Sequence, residues 1–190
     1  MPDSAVPQRR VSQSALSAIA DAIDIDPDEV TSYLNVDTGE VIPVFDDARR
    51  DLKAVYELLP AAFDDGTLDE QRAALADAIE NADYLNSEPS QIEEAFLVEQ
   101  GPGTSYLELP RMTPLAGHQM IEEFVETVRA PDFRDRLDNA MRGRGALRRF
   151  KDTLRQRPAE QERWYAFKQE WLREWARRWL MSQGIEAAEV

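Results

Sequence analysis

The chain contains no cysteine and a single histidine, His118, among its 190 residues. The absence of cysteine excludes a disulfide framework, a zinc–thiolate site, an iron–sulfur cluster and a cysteine nucleophile. A single imidazole also excludes metal sites built from several histidines. No apolar run is long enough to span a bilayer, and the N-terminal MPDSAVPQRRVSQS lacks the apolar core of a signal peptide. We therefore expect a soluble, cytoplasmic protein.

Lysine is also scarce, and the charge is unevenly distributed. Only three of the 22 basic residues are lysines, against 37 acidic residues and a formal net charge of −15. Residues 1–110 hold 24 acidic and 6 basic side chains, a balance of −18, whereas residues 142–178 hold 5 acidic and 12 basic ones, a balance of +7. Nucleic acids and anionic membranes repel a net-acidic chain at long range, so we expect neither as a partner. The basic segment is expected to pair with the acidic half.

Two stretches have the signature of β-hairpins. Alternating apolar and polar residues flank Asp37-Thr38-Gly39-Glu40 and predict strands near 30–36 and 41–45. A second pair of strands is predicted near 94–99 and 105–109, with Gly101-Pro102-Gly103 as the turn. Together they predict a four-stranded antiparallel sheet.

Helical spacing of apolar residues dominates the rest of the chain. It predicts a helix from Ser12 to Ile23, two helices within 47–83, and only helices from Pro114 onward. The fold class is therefore α+β, with a small sheet from two hairpins, helices mainly on one face and an all-helical C-terminal half. The predicted organisation is a disordered tail at 1–11, one domain over 12–186 with a helical insertion at 46–93, and a tail at 187–190.

The C-terminal sequence resembles that of a known bacterial family. The segments GRGALRRFKDTL and WYAFKQEWLREWARRWL, with the hairpin YLNVDTGEVI, are similar to uncharacterised protein family 0158. The resemblance covers about 29–45 and 105–185, and the stretch between these parts is longer and more helical than the family pattern. It implies a small α+β domain and carries no activity with it.

A basic, glycine-containing segment is the first candidate site. Two glycines beside a helix start present free backbone N–H groups, and arginines grip phosphate or carboxylate groups. The candidate anion-binding residues are Arg142, Gly143, Arg144, Gly145, Arg148, Arg149 and Lys151. The structural alternative is that the glycines only connect two helices while the arginines pair with acids in residues 1–110.

The last helix is the second candidate site, because its apolar arc is unusually wide. Stepped at 100° per residue, the arc spans about 220°, against about 100° for an ordinary surface helix. Such a helix must be covered on more than one side, by the protein's own core or by a partner. The candidate partner-binding residues are Trp164, Lys168, Trp171, Trp175 and Trp179. Within this stripe Lys168 must be ion-paired, extended to solvent or packed on a ring.

The remaining candidates are carboxylates and the histidine. Acids cluster at Asp24, Asp26, Asp28 and Glu29, at Asp46-Asp47 and at Asp64-Asp65. In a chain this acidic, we expect them to be solvated surface, with weak divalent-cation binding as the alternative. His118 is expected at an exposed first turn, held by Glu122, and no catalytic motif accompanies it.

These observations favour a non-catalytic protein-interaction module. Its partner, an unidentified protein or a second copy of the chain, would cover the tryptophan helix. The alternative is a protein that binds a small anion or nucleotide through the basic segment. A carboxylate-metal hydrolase is a third hypothesis, and it requires three or four converging acids. The sequence predicts no cofactor, no metal and no catalytic residue.

Overall fold

The computed structural model describes residues 9–24, 30–59, 63–101 and 105–188. Within these ranges it is a mixed α+β protein with a helical C-terminal half. The helices are α1 (Gln13–Ile23), α2 (Asp46–Tyr56), α3 (Leu68–Glu80), α4 (Pro89–Gln100), α5 (Pro114–Glu126), α6 (Pro131–Ala140), α7 (Ala146–Leu154) and α8 (Pro158–Ser182), with a 3-10 turn at Phe63–Asp65. The strands are β1 (Arg9–Val11), β2 (Val30–Asn35), β3 (Val41–Phe45), β4 (Tyr106–Glu108) and β5 (Ile185–Ala187).

The first predicted hairpin is confirmed and forms most of the main sheet. Strands β2 and β3 pair in antiparallel register, with Tyr33 opposite Ile42 and Leu34 opposite Val41. Gly39 takes the left-handed conformation that the connecting turn requires, with φ of 77°. Strand β4 pairs with the other edge of β2, so the sheet has the order β3-β2-β4.

The second predicted hairpin is wrong in its first strand. Residues 94–99 belong to α4, which begins with Pro89 at its first position and a capping box between Glu88 and Gln91. Ile92, Ala95 and Phe96 follow at helical spacing and are all buried. The start signal and this spacing outweigh the short apolar run, and the sheet has three strands instead of four. The predicted turn residues 102–104 lie outside the described ranges.

Helices cover both faces of the sheet, where the sequence predicted mainly one. Leu34 packs with Leu16 and Leu172, from α1 and α8, in the first core. Ile42 and Val44 point the other way and pack with residues of α2, α3 and α4 in the second core. Alternation of side chains along the strands therefore divides the interior in two.

A two-stranded parallel sheet joins the two ends of the described chain. Strand β1 pairs with β5, with Arg9 opposite Ile185 and Val11 opposite Ala187. This corrects the predicted tails at residues 9–11 and 187, and it adds a strand to the half predicted as all helical. Val11 and Ile185 are buried in the first core, which explains why these short segments are ordered. Residues 1–8 lie outside the described ranges.

The long helix α8 joins two cores, which explains its wide apolar arc. Its C-terminal half contributes Leu172, Ala176 and Leu180 to the first core. Its N-terminal half contributes Trp164 to a third core formed with α5, α6 and α7. In that core the rings of Phe124 and Trp164 pack edge to face with centroids 5.1 Å apart. The expectation that this helix is covered on more than one side is confirmed.

A buried carboxylate anchors the loop between α3 and α4. Asp51 on α2 is 6% exposed and accepts hydrogen bonds of 2.8 Å from the backbone N–H groups of Asn86 and Ser87. Burial raises the pKa of Asp51, but the hydrogen bonds from Ser87 and Asn86 lower it more, so the pKa lies below its usual value. The charge of Asp51 therefore has a structural use.

Candidate functional site

A groove of about 930 Å³ opens between α5, α7 and α8. Its size lies near the upper end of the range for ligand pockets, roughly 300–1,000 Å³. The side chains of its walls and floor are mainly apolar: Met112, Met120, Ile121, Met141, Leu147, Leu154 and Trp164. They include three of the five methionines of the chain. Unbranched methionine side chains adapt to differently shaped apolar partners.

Local sequence signals place the walls of this groove. Thr113 caps α5 by accepting a hydrogen bond of 3.1 Å from the N–H of Ala116, and Pro114 occupies the first helical position. Gly143 and Gly145 both have φ of 74°, a left-handed conformation that suits glycine. These two residues turn the chain from α6 into α7 and bring Leu147 to the groove.

Large apolar side chains remain exposed around the groove. Leu147 on α7 and Tyr165 on α8 line it with exposed fractions of 52% and 55%. Leu115, next to the lining residue Pro114, is 77% exposed. Helices α7 and α8 therefore present apolar surface at the groove that the described part of the chain does not cover.

Basic side chains surround this apolar surface. Lys151, Arg155, Lys168 and His118 line the groove, and Asp24 is the one acid among its lining residues in the described ranges. Arg155 pairs with Asp152 on its own helix at 2.5 Å, and His118 Nε2 lies 3.2 Å from Glu122, as expected for the histidine. The Lys151 side chain has no ion-pair or hydrogen-bond partner among the described residues. The groove is therefore apolar inside with a net basic lining.

The seven predicted anion-binding residues have different surroundings in the structure. The Arg149 side chain is exposed, and its guanidinium donates hydrogen bonds to the carbonyl oxygens of Ala140, Arg142 and Arg144. Arg148 is exposed and lies 3.9 Å from Asp152. Gly143 and Gly145 act as the helix connection described above. Of the set, only Lys151 lines the groove, so anion binding by this segment remains a prediction.

The predicted partner-binding residues of α8 are also divided. Trp164 and Lys168 line the groove, although Trp164 is only 5% exposed. Trp171 donates a hydrogen bond of 2.8 Å from its indole N–H to Glu123. Trp175 and Trp179 pack against the first core. Internal packing therefore accounts for most of the tryptophan stripe, and partner binding through it remains a prediction.

Within the described residues, the basic segment makes one ion pair with the acidic half, where extensive pairing was expected. Arg163 pairs with Glu160, and Arg177 with Glu174, both within α8. Among the described ion pairs of residues 142–178, only Lys168 reaches an acid in residues 1–110, namely Asp24. Of the three alternatives stated for Lys168, the structure shows the ion pair. Among the described ion pairs, local ones engage five of the twelve basic residues of this segment, namely Arg148, Arg155, Arg163, Arg173 and Arg177.

The acidic clusters supply no metal site in the described part of the chain. Asp26, Asp28 and Glu29 lie outside the described ranges. Among the described residues, no three acids or histidines come close enough to hold a metal ion. The carboxylate-metal hydrolase hypothesis therefore has no observation to support it there.

No helix within the described ranges is both long and apolar enough to cross a membrane.

Sequence reasoning missed the groove because no single segment encodes it. Its methionines come from the segment before α5, from α5 itself and from the end of α6, far apart in sequence. One local signal was available: Leu147 stands among exposed arginines in GRGALRRF, while Phe150 supplies the buried contact of that helix. An apolar residue outside the buried stripe marks a surface that needs another explanation.

Comparison with known proteins gives a family match over more than half of the chain. The profile of the uncharacterised protein family UPF0158 matches residues 77–189. A UPF0158 protein of Pseudomonas aeruginosa is 33% identical over 69 residues, which cover 36% of this chain and 45% of that relative. The chain thus aligns with slightly less than half of that relative's length. No solved structure matches significantly.

Proposed function

Since the chain belongs to the uncharacterised protein family UPF0158, we propose a function from the groove itself: a non-catalytic interaction module that binds an acidic, amphipathic helix of a partner protein. The groove would take the apolar face of that helix, while the basic residues around it would meet the acidic face. All described lining residues except Asp24 fall within the family match at 77–189.

The observation that carries this proposal is exposed apolar surface beside an adaptable floor. Leu147 and Tyr165 each leave more than half of their surface exposed, although both stand next to the apolar interior of the groove. Apolar surface of this kind, rimmed by polar groups, marks interaction sites on proteins. A partner that covered Leu147 and Tyr165 would remove this surface from water and gain affinity from its burial.

The shape of the groove supports a helix as the occupant. Its walls are α5, α7 and α8, and no described strand borders it. A peptide therefore has no sheet edge to extend, which excludes recognition by strand addition at this groove. An amphipathic helix docks instead through apolar residues spaced at i, i+3, i+4 and i+7.

Charge supports an acidic partner. The Lys151 side chain has no partner of its own in the described ranges, and Arg155 keeps 66% of its side chain exposed despite its pair with Asp152. Complementary charge around an apolar contact raises the rate of encounter and disfavours partners of the wrong sign. The same charges disfavour a basic helix at this groove.

The experiment is a binding titration with two synthetic peptides of about 16 residues, long enough to form a helix. Both carry leucines at the spacing given above; one has glutamate and the other lysine at the remaining positions. We expect the acidic peptide to bind more tightly in fluorescence anisotropy. Leu147→Glu should weaken it at least about tenfold, because an apolar contact is replaced by like charge.

Matched variants separate a groove effect from a general charge effect. Met181→Glu makes the same change at a residue that is 72% exposed and does not line the groove, so affinity should stay unchanged. Likewise Lys151→Glu should weaken binding more than Arg148→Glu on the same helix. Equal affinity for both peptides, or equal losses in Leu147→Glu and Met181→Glu, would overturn the proposal.

A further inference from the structure

We propose that Lys168 is the residue through which the groove selects acidic partners, and that Asp24 is its built-in competitor. In the free protein Asp24 occupies the position that a partner's carboxylate takes in the complex. This inference rests on the proposed function, because it names the specificity-determining residue of the same groove.

The position of Lys168 distinguishes it from the other basic residues of the groove. Its side chain is 24% exposed, against 43% for His118 and 66% for Arg155. A more deeply placed cation interacts more strongly with a carboxylate, because solvent screens it less. A carboxylate that reaches Lys168 therefore contributes more to selectivity than one at the rim.

The partner of Lys168 is also exceptional. His118 and Arg155 pair with acids one turn away on their own helices, Glu122 and Asp152, neither of which lines the groove. Lys168 instead pairs with Asp24 from the end of α1, and its Nζ lies 2.5 Å from Oδ1 and 2.6 Å from Oδ2. Asp24 is thus a carboxylate within the groove, and it already pairs with Lys168. A partner's carboxylate would have to pair with the same cation.

The pair is suited to exchange because, among the described residues, the Asp24 side chain bonds only to Lys168. Asp24 is the C-cap residue of α1, where the negative end of the helix dipole disfavours an acid. Its side chain is 35% exposed, so Asp24 regains contact with water when it leaves Lys168. A partner's carboxylate that replaces Asp24 keeps Lys168 paired, so the exchange leaves no cation without a partner.

The test measures affinity for the acidic peptide in wild type, Asp24→Asn, Lys168→Met and the double variant. Asp24→Asn frees Lys168 and should tighten binding about three- to tenfold. Lys168→Met keeps the aliphatic stem and should weaken binding. In the Lys168→Met background, Asp24→Asn should bring no gain, since the freed cation is then missing.

Asp21→Asn is the matched control for net charge. Asp21 lies one turn before Asp24 on α1, is exposed and does not line the groove. It should leave the affinity unchanged. An equal gain in Asp21→Asn and Asp24→Asn, or a gain of Asp24→Asn that persists without Lys168, would overturn the inference.

The same series separates this inference from the function on which it rests. One outcome is that wild type binds the acidic peptide and loses affinity in Leu147→Glu while Asp24→Asn changes nothing. That result would support peptide binding at the groove and refute the role of Asp24 as a competitor. If no variant binds either peptide, the proposed function itself is wrong and the inference falls with it. Thermal unfolding of each variant confirms that the compared proteins are folded.

Discussion

The α2–α4 region (residues 46–100) and the α5–α8 region (residues 114–182) use their charged side chains in different ways. In the first, Asp51 is buried and fixes a loop through two backbone N–H groups, and Glu70 completes the cap of α3 with Thr67. In the second, Lys151 and Arg155 border an open groove. The first region uses its acids for its own structure, whereas the second displays its cations.

The two regions also differ in where their exposed apolar side chains lie. Phe63 and Phe96 close the second core with their rings 6.0 Å apart, and both are buried. In the α5–α8 region a comparable aromatic core lies beneath Leu147 and Tyr165, which remain exposed. The two regions have cores of similar kind, so core packing alone does not explain the exposed side chains. The α2–α4 region also exposes Leu58, Leu68 and Tyr84, but none of them lines the groove, whereas Leu147 and Tyr165 do. The place of these exposed side chains at the groove directs the functional proposal to the second region.

The largest expected effect comes from removing one core ring in each region. Phe124 and Phe96 are both fully buried, and each Phe→Ala change should lower the free energy of unfolding by about 3–5 kcal/mol in urea denaturation. Phe124→Ala should also lower the affinity for the acidic peptide, because Phe124 packs against the groove residue Trp164. Phe96→Ala should leave the affinity of the folded protein unchanged. An equal loss of affinity in both variants would contradict the claim that only the α5–α8 region supports peptide binding.

Removing Asp51 should have a smaller and pH-dependent effect. Asp51→Ala leaves two backbone N–H groups without their acceptor and should cost about 1–3 kcal/mol near pH 7. Because the pKa of Asp51 lies below its usual value, its stabilising contribution is present above about pH 4 and is lost as the pH falls through the lowered pKa.

Urea denaturation of wild type and Asp51→Ala at neutral and acidic pH checks this prediction. The difference in unfolding free energy between the two proteins should shrink below about pH 4. A difference that grows on acidification would refute the structural use of the Asp51 charge. Peptide affinity at neutral pH should be the same in both proteins, since Asp51 lies outside the groove.

The smallest effect is expected at the first turn of α5. Thr113→Ala removes a helix cap and should cost about 1 kcal/mol in thermal or urea unfolding. Because Thr113 also lines the groove, Thr113→Ala should lower the affinity for the acidic peptide. The decrease should be smaller than that caused by Leu147→Glu. Ser12→Ala removes the corresponding cap of α1, where Ser12 accepts from the N–H of Ala15 at 3.1 Å. An equal loss of peptide affinity in Ser12→Ala would show that the groove effect is only one of stability.

Local sequence signals predicted much of the fold. They failed where a short segment fits two kinds of element, or where a contact joins distant parts of the chain. The first hairpin follows from Gly39 and the alternation around it, and most helix ends follow from caps and prolines. The 94–99 segment was predicted wrongly because a short apolar run fits a strand as well as a buried helix. The pairing of β1 with β5 joins residues at opposite ends of the chain, and no local pattern encodes such a contact.

The candidate site was predictable only in part. Lys151, Trp164 and Lys168 were singled out for their residue types, and all three line the groove. The methionines were not, since an isolated methionine at helical spacing is indistinguishable from an ordinary core residue. The hydrogen bonds of Arg149 were also hidden, because their acceptors are backbone carbonyl groups that only the folded α6–α7 connection brings together.

The central claim, that this groove binds an acidic helix, is tested most directly by nuclear magnetic resonance of methionine methyl groups. Met112, Met120 and Met141 line the groove, whereas Met181 is exposed elsewhere on α8. Titration with the acidic peptide should shift the first three methyl signals together and leave that of Met181 unchanged. Unchanged groove signals at saturating peptide, or an equal shift of Met181, would contradict the account.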